Sequence, residues 1–76
     1  MDMLDIDASN RVKKAMRDAY GKEIPLRLAR ATGLSRTTLE RSLTGTRSFT
    51  VSELGKIARA LGRRLKDVLP SDEDHS

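Results

Sequence analysis

Leu28-Ala29-Arg30-Ala31-Thr32-Gly33-Leu34-Ser35-Arg36-Thr37-Thr38-Leu39 is the run on which the reading of this 76-residue chain turns. Two short helices that cross through a turn of about three or four residues need a glycine in the turn, and Gly33 stands there. They need a small side chain where the backbones approach, which Ala29 supplies. They also need apolar residues on either side to hold the angle, and Leu28, Leu34 and Leu39 are placed to do so. Ser35 suits the N-cap of the second helix, because its hydroxyl can accept from an orphan amide of the first turn. An angle held in this way projects the second helix, about Arg36 to Thr44, as a rod that fits the major groove of B-form DNA.

The flanks read as helices too. Gly21, Pro25, Gly33, Gly45, Gly62 and Pro70 cut the chain into five short helical pieces, and no stretch alternates as a strand would. The first helix is expected from Ser9, as its cap, to Tyr20, with Val12, Met16, Ala19 and Tyr20 as its apolar stripe. The second opens on Pro25, a residue at home in a first helical position, and turns Leu28 and Ala29 inward. The third turns Leu39 and Leu43 inward and stops at Gly45. Thr50-Val51-Ser52-Glu53 has the pattern of a capping box, and Phe49 and Leu54 have the spacing of a hydrophobic staple. Leu54, Ile57, Ala58 and Leu61 then recur at helical spacing. A last short helix, Arg64 to Leu69, offers Leu65, Val68 and Leu69. The chain therefore divides into an acidic segment 1–8, one helical domain 9–70 and an acidic tail 71–76 expected to be disordered.

Charge is segregated along the chain. All 15 Lys and Arg fall between Arg11 and Lys66 against four acids, Asp18, Glu23, Glu40 and Glu53, so that segment carries +11. The ends carry −3 (residues 1–10) and −4 (residues 67–76), leaving +4 overall. A basic body points to a polyanion, most simply nucleic acid. Lys56, Arg59, Arg63, Arg64 and Lys66 read as a solvated face. Whether Arg11, Lys13, Lys14 and Arg17 flank phosphates or stay in solvent is left open. There is no cysteine, and the single histidine, His75, sits in the tail, so no zinc cluster or disulfide staple is expected. With one Phe and one Tyr, no base-stacking platform for single strands is expected. No nucleophile–base pair or phosphate-cradling glycine loop is present, so an enzyme and a cofactor are not expected.

The stretch from Val12 to Leu69 resembles the lambda-repressor/Cro-type (XRE-like) helix-turn-helix family. The resemblance runs through Leu28-Ala29, Gly33-Leu34-Ser35-Arg36, Leu39, Arg41, Gly45 and Arg47, then through Thr50-Val51, Glu53-Leu54, Ile57-Ala58, Ala60-Leu61-Gly62, Leu65 and Val68-Leu69. It implies an all-α, five-helix lambda-repressor-like DNA-binding domain whose third helix is the recognition helix. Family positions that face base edges fall on Arg36, Thr37 and Arg41. Those that grip the sugar-phosphate backbone fall on Arg27, Ser35, Thr38, Thr46, Arg47 and Ser48. Thr32 and Ser42 occupy positions that are usually apolar in the family, and are expected to bond back to helix carbonyls, leaving a thin core.

The function this implies is that of a sequence-specific double-stranded-DNA-binding transcriptional regulator, a repressor or Cro-like switch protein on operator DNA. The alternative is a protein-binding module of the same fold, such as an antitoxin or adaptor. The expected setting is cytoplasmic, with no membrane and no small-molecule substrate as partner. A homodimer through the fifth helix, or one formed on DNA, is the expected assembly; a monomer on one half-site is the other.

Overall fold

The computed structural model describes residues 3–69, with side chains from Asp7 on. The acidic tail 71–76 therefore lies outside the described residues. Five helices follow in order: α1 (Met3–Tyr20), α2 (Pro25–Thr32), α3 (Arg36–Leu43), α4 (Val51–Ala60) and α5 (Leu65–Val68). Among the described residues there is no strand. None of the helices is long and apolar enough to cross a membrane.

Local chemistry sets the ends of α2, α3 and α4 as the sequence implies. Pro25 opens α2. Gly33 closes it in the left-handed region at φ 80°, which a residue with a Cβ adopts only at a cost, and its amide donates to the Ala29 carbonyl. Ser35 caps α3, its hydroxyl accepting from the Thr38 amide at 3.0 Å. At α4 the capping box is complete. Thr50 Oγ1 accepts from the Glu53 amide (3.1 Å) and Glu53 Oε1 accepts from the Thr50 amide (2.9 Å). At α5, Asp67 accepts from the Arg64 amide at 3.1 Å.

Two expectations for the first helix need correction. α1 begins at Met3, so Ser9 is an interior residue and not a cap. The reason is packing. Ala8 and Ser9 are both buried, and the Ser9 hydroxyl donates across the molecule to the Ser42 carbonyl. An Asp7–Arg11 pair one turn apart, at 3.0 Å, further favours helix there. The apolar stripe is Ala8, Val12, Ala15 and Met16, with Tyr20 partly buried against the same core as expected; Ala19 is exposed. Nothing in the structure explains why Ala19 stays exposed while Tyr20, the next residue, packs against the buried cluster.

That cluster contains Val12, Met16, Leu28, Leu39, Ile57 and Val68, each fully buried, and draws on every helix. α3 packs on α1 and α2, α4 on α2 and α5, and α5 closes the set by returning to α1. Asp18 draws the end of α1 to the turn after α4: its Oδ2 accepts from Lys14 and from Arg63, both at 3.1 Å. Its carboxyl is held below the usual carboxylate range. The Lys14 hydrogen bond is the largest cause; slight desolvation opposes it, and the nearby charges of Lys14, Arg63 and Arg17 add to it.

Thr32 bonds back to the Leu28 carbonyl at 2.8 Å, as expected. Ser42 does not bond back. It is fully buried, and its hydroxyl accepts from Arg47 Nη1 at 2.8 Å. No buried side-chain nitrogen or oxygen among the described residues lacks a hydrogen-bond partner. The polar intrusion into this small core is thus fully satisfied, which is the condition for tolerating it.

Candidate nucleic-acid interface

α3 is short and two-faced. Leu39, Ser42 and Leu43 are buried, whereas Arg36, Thr37, Arg41 and Thr44 are exposed and Glu40 is partly so. At about 100° per residue, Arg36, Glu40, Thr44, Thr37 and Arg41 fan over an arc of roughly 140°. The three residues expected to face base edges, Arg36, Thr37 and Arg41, therefore share one open stripe, with Arg36 and Arg41 at its two margins. Among the described residues Arg41 and Thr37 make no side-chain hydrogen bond or ion pair. Arg36 does: its Nε donates to Glu40 Oε2 at 3.1 Å in an exposed pair one turn apart.

The residues expected to meet phosphates are distributed around this rod. Ser35 and Thr38 form its first turn, tied to each other by the cap. Thr46, Arg47 and Ser48 lie on the loop at its other end. The amides of Thr46 and Arg47 donate to the Arg41 carbonyl at 2.8 and 3.3 Å, folding the loop over the C-terminus of α3. Thr46 shares a hydroxyl–hydroxyl bond with Thr44 at 3.2 Å, and Ser48 is exposed. Arg27 stands on the first turn of α2, its guanidinium 4.3 Å from the centre of the Tyr20 ring, a cation–π contact that leaves its N–H edges open.

Arg47 has an inward role that sequence reading did not assign. Nη1 and Nη2 reach the two carboxylate oxygens of Glu53 at 3.0 and 3.1 Å, and Nη1 also reaches Ser42. Glu53 is largely buried, with 15% of its side chain exposed. Burial acts most strongly on this carboxyl and pushes its pKa up. The hydrogen bonds from Arg47 and from Thr50, with the Arg47 charge, more than offset that and leave it below the ordinary glutamate value. The arginine fixes the α3–α4 loop through a fork-to-fork contact that favours arginine over lysine.

The cations of α1 are mostly taken internally. Arg11 pairs with Asp7, Lys14 with Asp18, and Arg17 with Glu23 at 2.6 Å. Glu40 and Glu53 are the two residues of the site that sequence reading left out. Glu40 was legible, one helical turn after Arg36. Glu53 was noticed only as a cap, because its pairing with Arg47 depends on the path of the loop.

Two short helices joined across Gly33, the second backed by the core and open along a polar and basic stripe, define a helix-turn-helix protein. The family model of the Cro/C1-type HTH DNA-binding domain matches residues 26–74, and the chain belongs to that family. Neither the curated proteins nor the solved structures gave a match.

Proposed function

We propose that this protein is a sequence-specific, double-stranded-DNA-binding transcriptional regulator, a repressor or Cro-like switch protein. It would lay α3 in the major groove of an operator. The observation that carries this reading is the open stripe of α3: Arg36, Thr37 and Arg41 face out from a helix whose other side is wholly committed to the core. Arginine can make a bidentate contact to guanine, and the threonine methyl can meet that of thymine. Arg27, Ser35, Thr38, Thr46 and Ser48 take phosphates and set register. The amide end of α2, which has no side-chain cap, assists them. Arg47, bound to Glu53 and Ser42, serves the same contact by holding the loop that presents Thr46 and Ser48.

Repression in this picture is occupancy: a bound operator excludes polymerase by overlap, and no chemistry or cofactor is needed. Two copies, joined through α5 or on the DNA itself, would read half-sites about 34 Å apart. The protein would act in the cytoplasm, where its operator is.

Selection of bound duplexes from a random pool tests the proposal. The expected result is a palindromic consensus whose affinity falls steeply with salt. Arg36→Ala should flatten the preference at one or two base pairs, costing about 1–3 kcal/mol on the best site. Weak binding, indifferent to sequence, would overturn the proposal and favour the antitoxin or adaptor alternative.

A further inference from the structure

We infer that Glu40 is a specificity-determining positioning residue, which aims Arg36 at its base through the ion pair on the recognition stripe. The inference rests on the groove-reading role of α3 proposed above.

The geometry gives Glu40 one edge of the guanidinium and leaves the other. Arg36 Nε donates to Glu40 Oε2 at 3.1 Å, and this guanidinium makes no other hydrogen bond or ion pair among the described residues. Arginine carries five N–H donors in a rigid planar fork. With Nε taken, the pair Nη1 and Nη2 remains, and that is a two-pronged edge of the kind needed for guanine O6 and N7. The long arginine side chain otherwise loses much rotamer freedom when it docks. A carboxylate one helical turn away removes part of that loss beforehand. As a contribution to folding the pair is minor, since both side chains are about half exposed, 58% and 46%. Its position on the reading face gives it a different weight.

Glu40 also acts against wrong sequences. A carboxylate has only acceptors, so beside guanine or thymine oxygens, or beside phosphate, it is unfavourable unless Arg36 stays with it. With Nε held by Glu40, Arg36 offers a base only its Nη edge. Arg41, at the opposite margin of the stripe, has no such partner among the described residues. The two arginines should therefore differ in how strictly they discriminate, and Arg41 serves as the internal control.

The test compares the full chain with Glu40→Ala, Glu40→Gln, Arg36→Ala and the Arg36→Ala/Glu40→Ala double variant. Relative affinities are measured on all single-base variants of the selected duplex at one salt concentration, with thermal melts to verify folding. Glu40→Ala should lower discrimination at the same base pair that Arg36→Ala flattens, by about fivefold, while the preference set by Arg41 stays. Binding to mismatched duplexes should rise, because a negative charge has left the interface. Glu40→Gln should retain most of the preference, since its amide oxygen still accepts from Nε–H. The double variant should lose nothing more at that position than Arg36→Ala alone. Unchanged preferences in Glu40→Ala would overturn the inference and leave the pair a surface contact of the helix. A loss at a different base pair would overturn it too, in favour of Glu40 reading a base itself. Absence of any base preference in the unsubstituted protein would instead remove the groove-reading role beneath it, a result visible before any variant is made.

Discussion

The carboxylate of Glu53 accepts from both terminal nitrogens of Arg47 and from the amide of Thr50, so one side chain caps α4 and anchors the loop before it. Its pKa is depressed in the fold relative to 4.5. The folded state therefore binds fewer protons at this group than the unfolded chain does in mild acid. The stability that follows is present above the unfolded value and is lost as pH falls through the folded one. Thermal melts of Glu53→Gln and the unsubstituted protein should differ clearly at neutral pH, with the variant the less stable. The gap should narrow as pH falls from the ordinary glutamate value through the lower value of the folded state. A gap that persists undiminished in acid would mean that shape, not charge, holds the loop. Arg47 shows why such roles escape a sequence. Six positions and a loop separate it from Glu53. A loop arginine after a recognition helix looks the same in sequence whether it turns to a phosphate or inward.

At the scale of elements, the junction of α2 and α3 is governed by short-range rules. Gly33 has φ 80°, and a Cβ built on it would meet nothing within 4 Å. The whole penalty of Gly33→Ala is thus backbone strain, about 1–2 kcal/mol, and it should appear as a lowered denaturation midpoint with no change in core packing. Gly33→Asn should cost less, since asparagine visits the left-handed region more readily. Such features were legible because each depends on residues within one turn: Gly33 ends a helix, Ser35 starts one, and Thr50 with Glu53 starts another. The start of α1 was not legible. Ser9 is a strong cap former by type, yet its hydroxyl answers to Ser42, 33 positions away. Its inward turn belongs to tertiary structure.

For the molecule as a whole, the distribution of paired and unpaired cations decides what salt will do. The +11 of residues 11–66 already sets four carboxylates against 15 cations, so what a polyanion meets depends on which cations those carboxylates hold. Arg11, Lys14, Arg17, Arg36, Arg47 and Arg63 are each engaged with a carboxylate of the chain. Arg27, by contrast, is stacked on Tyr20 with no carboxylate partner among the described residues. Arg27→Ala should weaken duplex binding about equally on every sequence. The slope of log affinity against log salt should become shallower by about one. Lys14→Ala should leave that slope unchanged. Equal changes for the two would mean that overall charge drives binding and the arrangement of the interface matters little.

The division of α3 into a buried side and an open side has a practical consequence. None of Arg36, Thr37 or Arg41 belongs to the buried cluster. Substitutions at such surface sites usually shift stability by no more than about 0.5 kcal/mol. On the proposed reading, these three form a cassette on a chassis that does not depend on them. Replacing all three with another set should redirect the chain to a different duplex while its denaturation midpoint stays put, so that one small scaffold could be reprogrammed many times without being rebuilt.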